Sequence, residues 1–476
     1  GIFQRATNFD PFEKVGVYVP NKTPTRVGSG VIADADTSDG VAMITFTSSV
    51  AIGTFIHYFT LTGLYRIDGE DYTTVDQSSR ITFGGNCEGA IVFKGKTVYI
   101  TSSTVRSHDY PISTQSANEV TILTGLNAFQ PVKAFHIGPD KNLYLCNANN
   151  IGRITSVTGT SGNSNNYLVF ESNVFTRDID DDGQHLIIVG DTNQANPSTA
   201  VNKGGYNKCF IAFWNMKSQD LTRIWEFQDN IVFGVAAIED EVLIFARDNI
   251  YTCSVNSRPK ILLPLKGNAN WASSYLSPYS IVKQGNSIVL WSGGTFMRGY
   301  GRIHQNMSKT FFEAYTVPTH SGFTSIDAAI YTPDNTGTSR LWTGTDGRRV
   351  YIFDTASAET STVTLAGIDF KQPYEFSFAK VVLDQKLDNG QSVDVKILND
   401  DVTVLRNTQG TDNSFDNATF PGKKGHIFYP YPGATATSTI ALFENLSDIS
   451  ITNKGASIKR FEIWAKPVKP DQDVYK

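Results

Sequence analysis

The chain has 476 residues and a formal net charge of −5, with 18% charged residues and 30 Phe and 20 Tyr against four Met. Lys and Arg are scattered, which excludes the concentrated basic face that grips nucleic acid through its phosphates. The wealth of Phe, Tyr, Gly, Thr, Ser and Asn excludes a mainly helical protein, and the length exceeds one small domain.

In chain order, residues 1–35 carry Pro11, Pro20 and Pro24 with no sustained alternation, so an extended N-terminal arm is expected. Its apolar groups, among them Phe3, Phe9, Phe12, Val15 and Val17, gain by burial against something else. Such an arm either supplies a strand that closes the next domain or reaches a neighbouring subunit. No charged segment followed by an apolar run opens the chain, so no signal peptide is expected.

Residues 36–358 hold a short strand motif seven times: Met43–Phe46, Val98–Thr101, Leu143–Cys146, Leu186–Val189, Val242–Phe245, Ile288–Trp291 and Leu341–Thr343. Their first residues lie 55, 45, 43, 56, 46 and 53 positions apart. That period suits β-propeller blades of about four strands each. The expectation is a seven-bladed β-propeller with the motifs on equivalent inner strands, buried on both faces where blades stack. The uncharged stretch Val41–Tyr65 reads as blade strands, because Phe55, His57, Phe59 and Leu61 alternate, and not as a membrane span. Long polar loops are expected over 102–119, 158–166, 192–208 and 332–339.

Within the repeats, Asp178, Asp180 and Asp182 stand at alternate positions before Gly183, the spacing that opens calcium loops. They are the candidate metal ligands. The closing ligand is missing, since Val189 and Leu186 occupy the places where it would stand, so a polar hairpin turn competes and no tightly held calcium is expected. Asp346-Gly347 reads as a plain turn. Cys87, Cys146, Cys209 and Cys253 are far apart with no CxxC, which predicts four free thiols and a reducing site of synthesis. The seven histidines form no i, i+2 or i+4 pair, and His108 in its polar stretch is the least ordinary of them. Trp214 and Trp225 read as blade packing, while Tyr206 and Trp271 are open to a surface role. No catalytic constellation emerges, and no enzyme and no cofactor are expected.

Residues 359–466 change pattern to seven short strand candidates, which predicts a C-terminal β-sandwich, with 467–476 as an extended tail. The chain is therefore expected to be all-β.

The opening Asn8-Phe9-Asp10-Pro11-Phe12-Glu13-Lys14-Val15-Gly16-Val17, followed by Pro20, resembles the start of many tailed-bacteriophage tail proteins. The closing Ser457-Ile458-Lys459-Arg460-Phe461-Glu462-Ile463-Trp464 resembles the last strand of their C-terminal domains. A propeller followed by a sandwich is similar to the tail nozzle, or DNA-stabilisation, proteins of short-tailed phages. The resemblance implies a structural virion component assembled in host cytoplasm. Its partners would be copies of itself in a ring and other tail or adaptor proteins, retaining or conducting packaged DNA without sequence-specific recognition. Two alternatives stand beside it: a receptor- or glycan-binding propeller, favoured by exposed aromatics on one face, and a carbohydrate-active enzyme, which needs carboxylates converging in a central depression.

Overall fold

A computed structural model describes residues 40–47, 54–68, 75–83, 85–109, 119–127, 133–192, 207–238, 241–264, 278–284, 288–292, 297–306, 309–318, 326–333, 339–345, 350–352, 361–365, 368–388, 391–399, 402–403, 405–410, 413–416, 418–431, 435–446 and 457–468, with short N-terminal strands at 3–7, 9–10, 19–20 and 25–26. These residues are all-β, with a single 3₁₀ turn at Pro278–Ser280 and no α-helix. No helix among them is long and apolar enough to cross a membrane.

Four-stranded antiparallel sheets dominate. The first holds Gly40–Thr47, Thr54–Thr60, Gly63–Asp68 and Val75–Thr82; the second Cys87–Phe93, Lys96–Thr101, Thr104–Asp109 and Val120–Leu123. The third holds Phe135–Ile137, Leu143–Asn147, Asn150–Ile154 and Ser164–Val169; the fourth Phe175–Asp181, Leu186–Asp191, Asn207–Trp214 and Arg223–Asp229. The fifth holds Val232–Ile238, Glu241–Ala246, Asn249–Ser254 and Ser257–Pro264; the sixth Ile281–Gln284, Ile288–Ser292, Met297–Asn306 and Lys309–Pro318. The last holds Ile326–Pro333, Ser339–Thr345 and Val350–Ile352, and its fourth strand is Thr25–Arg26 from the N-terminal segment. The first strands of consecutive sheets touch one another in order, and Ile326–Pro333 touches Gly40–Thr47, so the cycle closes.

Packing explains the apolar runs. Along the second strand of each central sheet, alternate side chains enter opposite cores. Leu143 and Leu145 join Val98 and Ile100 of the preceding sheet, whereas Tyr144 and Cys146 join Leu186 and Ile188 of the following one. Ile187 and Val189 then join Val242 and Ile244. A strand covered on both faces has no polar positions, so its sequence runs continuously apolar. Six of the motifs lie on the second strands of their sheets. Met43–Phe46 does not: it lies on the first strand of its sheet, and Thr54–Thr60 is the equivalent second strand. The buried His57 interrupts the apolar run there, while Met43 and Ile44 on the neighbouring strand are themselves buried.

Contacts divide the chain into two compact units. One comprises Arg26–Thr316 and Ser321–Ile352; the other comprises Gly1–Thr25, Val317–His320 and Phe353–Lys476. The expected boundaries after residues 35 and 358 lie outside the described residues, and Thr25–Arg26 supplies the last sheet with a strand, one of the two roles expected of the N-terminal arm. Phe3–Thr7 pairs antiparallel with Ser361–Leu365 in the second unit. Backbone N–H and C=O groups of an extended segment need partners, and a sheet edge supplies them. Of the apolar arm residues, Phe3 and Phe9 lie on strands Phe3–Thr7 and Phe9–Asp10, whereas Phe12, Val15 and Val17 lie outside the described residues.

The second unit is built on the 16-residue strand Ile368–Leu383, which pairs with Gly425–Pro430, Thr435–Leu446 and Ile458–Pro467. Ser392–Asn399 pairs with the other side of Thr435–Leu446, and Val393, Val395 and Ile397 alternate into its core.

Candidate functional site

The cycle of first strands gathers polar side chains that the chain separates widely. Asp178, Asp180 and Asp181 come from Phe175–Asp181, His136 from Phe135–Ile137, and Lys283 from Ile281–Gln284. All but Asp181, together with Tyr279 and Ala134, line a cavity of about 220 Å³.

Asp178 is buried, and its carboxylate accepts the Val235 and Ile179 backbone N–H groups at 2.8 Å each. Burial pushes its carboxyl up to about 8 against the pull of those donors. Asp180 accepts the Ala237 N–H at 2.7 Å and the Lys283 ammonium at 2.7 Å. Its other neighbour is His136 Nδ1 at 3.7 Å. His136 Nε2 stands 2.5 Å from Asp181, which also accepts the Gly183 N–H at 2.8 Å. Burial raises the Asp181 carboxyl, but the hydrogen bond and charge of His136 outweigh it, so the group lies below the usual carboxylate range.

The predicted ligand set is therefore split. Asp178 and Asp180 turn to the first strand of the next sheet, because at alternate positions of a strand they share one face. Asp182 caps its own turn instead, accepting the Gln184 and His185 N–H groups at 2.9 and 2.6 Å. The residues whose ligand atoms do converge, all within 4.8 Å, are His136, Asp180 and Asp181. Lys283 and His136 already engage those carboxylates. The arrangement acts as an electrostatic clamp that joins four first strands. The sequence singled out the aspartates but not His136 or Lys283, since nothing local links positions 136, 180 and 283.

A second buried group sits beside it. The Lys133 ammonium donates to the Glu88 carboxylate, and the Tyr279 hydroxyl donates to the Lys133 carbonyl at 2.8 Å. Burial pushes Glu88 up and Lys133 down, each restrained by the other's charge. The Pro278–Ser280 turn touches first strands of the first, fifth and last sheets, and Tyr279 ties it to the Lys133 carbonyl.

Other candidates resolve into packing. His108 lies on strand Thr104–Asp109, inside the stretch expected as loop, and is buried. Trp214 is buried and donates to the Ser218 carbonyl at 2.6 Å. All four cysteines are buried free thiols, and burial pushes Cys87 and Cys253 up to about 12. Tyr206, Trp271, Asp346 and Gly347 lie outside the described residues.

No family model matches the chain, and no curated protein matches it. Among solved structures it is similar to the computationally designed Ika8 protein, at 10% identity over 70% of this chain and 99% of that one, with a TM-score of 0.43. It is also similar to the Neurospora crassa Pan2 WD40 domain, at 7% identity over 70% and 95%, TM-score 0.43. A chain of the mitotic checkpoint complex matches at 13% identity over 70% and 95%, TM-score 0.45.

Proposed function

We propose that this protein is a non-enzymatic structural subunit of a bacteriophage virion tail, a nozzle-like ring component that retains or conducts packaged DNA. In this reading the larger unit is a seven-bladed β-propeller, closed by Thr25–Arg26, and the smaller unit is a β-sandwich. Its partners are copies of itself and other tail or adaptor proteins, and it is assembled in host cytoplasm.

The observation that carries the reading is where the two resembling stretches fall. The opening around Phe9–Asp10 and the closing strand Ile458–Pro467 belong to the same compact unit, although some 450 residues separate them. Two distant motifs of one family gain weight as a signal when they build one domain together. The central polar groups also fit a scaffold: each carboxylate is engaged with backbone N–H groups, Lys283 or His136. The polar side chains at the centre of the cycle engage one another, so this reading puts the DNA path between copies of the chain.

Electron microscopy of the purified protein and of its parent particle tests the proposal. Closed rings at a tail position are expected. A monomer on the particle surface would transfer the reading to the receptor- or glycan-binding alternative.

A further inference from the structure

The fourth strands of the fourth and fifth sheets, Arg223–Asp229 and Ser257–Pro264, touch one another at the outer edge of neighbouring sheets. Trp225 stands between them. Its indole N–H donates to the Ser254 carbonyl at 3.2 Å, and the ring packs on the core shared by the two sheets. Two guanidiniums gather on this fixed ring, Arg223 at 5.0 Å from its centroid and Arg258 at 5.3 Å. Both arginines are exposed, as is Lys260, two residues on from Arg258 across an irregularity in the pairing of this strand with Asn249–Ser254. Among the described residues neither guanidinium pairs with a carboxylate. The adjacent Glu226 is engaged with Lys208 at 2.5 Å.

We propose that Arg223 and Arg258, ordered on Trp225, form a binding site for a phosphate group. Stacking on an aromatic face holds a guanidinium in place and leaves its in-plane N–H edge free to donate. Two such forks brought to one ring repel each other, and a counter-anion relieves that repulsion. A tetrahedral dianion accepts from two forks at once, whereas one fork satisfies a carboxylate. The exposed Lys260 adds charge without adding geometry.

Calorimetric titration of the full chain with inorganic pyrophosphate at low ionic strength tests this, with glucuronate as the carboxylate arm. Pyrophosphate is expected to bind, glucuronate at least about tenfold more weakly. Arg223→Gln and Arg258→Gln should each weaken pyrophosphate binding about tenfold or more, while Lys423→Gln, in the other unit, leaves it unchanged. Melting temperatures of all variants check folding. Should an arginine variant melt early, Lys260→Gln decides, with an expected loss of about threefold. Absence of pyrophosphate binding, equal binding by the variants, or glucuronate binding as tightly as pyrophosphate would each overturn the site. The outcome is independent of whether the protein assembles into rings.

Discussion

At the residue scale the central groups make opposite demands on solvent, and that sets their response to mutation and pH. Glu88 and Lys133 neutralise each other where Lys133 is fully buried and Glu88 nearly so. Glu88→Ala leaves a buried ammonium without that counter-charge, with an expected loss of about 3–5 kcal/mol in urea unfolding. The double change Glu88→Leu with Lys133→Met removes both charges and should cost far less; an equal loss would show that the pair's attraction is not what matters. Asp178 gives a pH prediction. Its folded carboxyl titrates near 8, above the ordinary value of 3.8, so between those values the folded chain holds a proton that the unfolded chain has released. Stability from this group is therefore fully present below about 4 and is lost as pH rises through about 8. Asp178→Asn cannot titrate. Its stability relative to the parent should rise between pH 5 and pH 8, and a pH-independent difference would contradict the burial argument.

At the element scale the first strands approach so closely that side-chain size is limiting at particular positions. A Cβ on Gly89 would stand 2.4 Å from the Lys133 carbonyl oxygen and 2.5 Å from the Tyr279 hydroxyl. Since backbone cannot swing aside, Gly89→Ala should destabilise by about 1–3 kcal/mol or more. Gly159 meets nothing within 4 Å, and Gly159→Ala should stay within about 0.5 kcal/mol, measured in the same denaturation series. The same crowding explains the second strands. Residues covered on both faces leave a run such as Leu186–Val189 that is visible in the sequence. Third strands leave less: Thr104–Asp109, with Arg106, Ser107, His108 and Asp109, reads as a polar loop because pairing to Lys96–Thr101 on one side and Val120–Leu123 on the other makes it a strand.

At the scale of the whole molecule, the N-terminal segment serves both units in turn, Phe3–Thr7 pairing with Ser361–Leu365 and Thr25–Arg26 completing the last four-stranded sheet. Truncations separate the two tasks. Removing residues 1–24 strips the partner from Ser361–Leu365, so hydrogen exchange should accelerate there while Val350–Ile352 keeps its protection. Removing residues 1–30 should accelerate exchange in Val350–Ile352 as well. Equal protection of that strand in both truncations would mean that Thr25–Arg26 contributes nothing to closing the cycle. The four thiols give a global readout. Native protein should resist alkylation, and unfolding should expose four modifiable sites, because all four are buried among strands that must separate together.

The sequence by itself determined the all-β character, the recurrence of four-stranded units and the free state of the four cysteines. Each of these is written in local period and composition, and burial on both faces leaves its mark on consecutive residues. Which of two apolar strands is the second strand of the first sheet was not so written, because Met43 and Ile44 are buried on one, Ile56 and Tyr58 on the other, and His57 breaks the latter run. Only the tertiary structure decided that His136, Asp180, Asp181 and Lys283 meet, that Asp182 turns away to cap its own hairpin, and that Thr25–Arg26 closes the last sheet. The physical reason is the same in each case: these contacts join first strands, or chain ends, that are tens to hundreds of residues apart. A strand's own sequence records what covers its faces, but not which distant strand lies beside its edge.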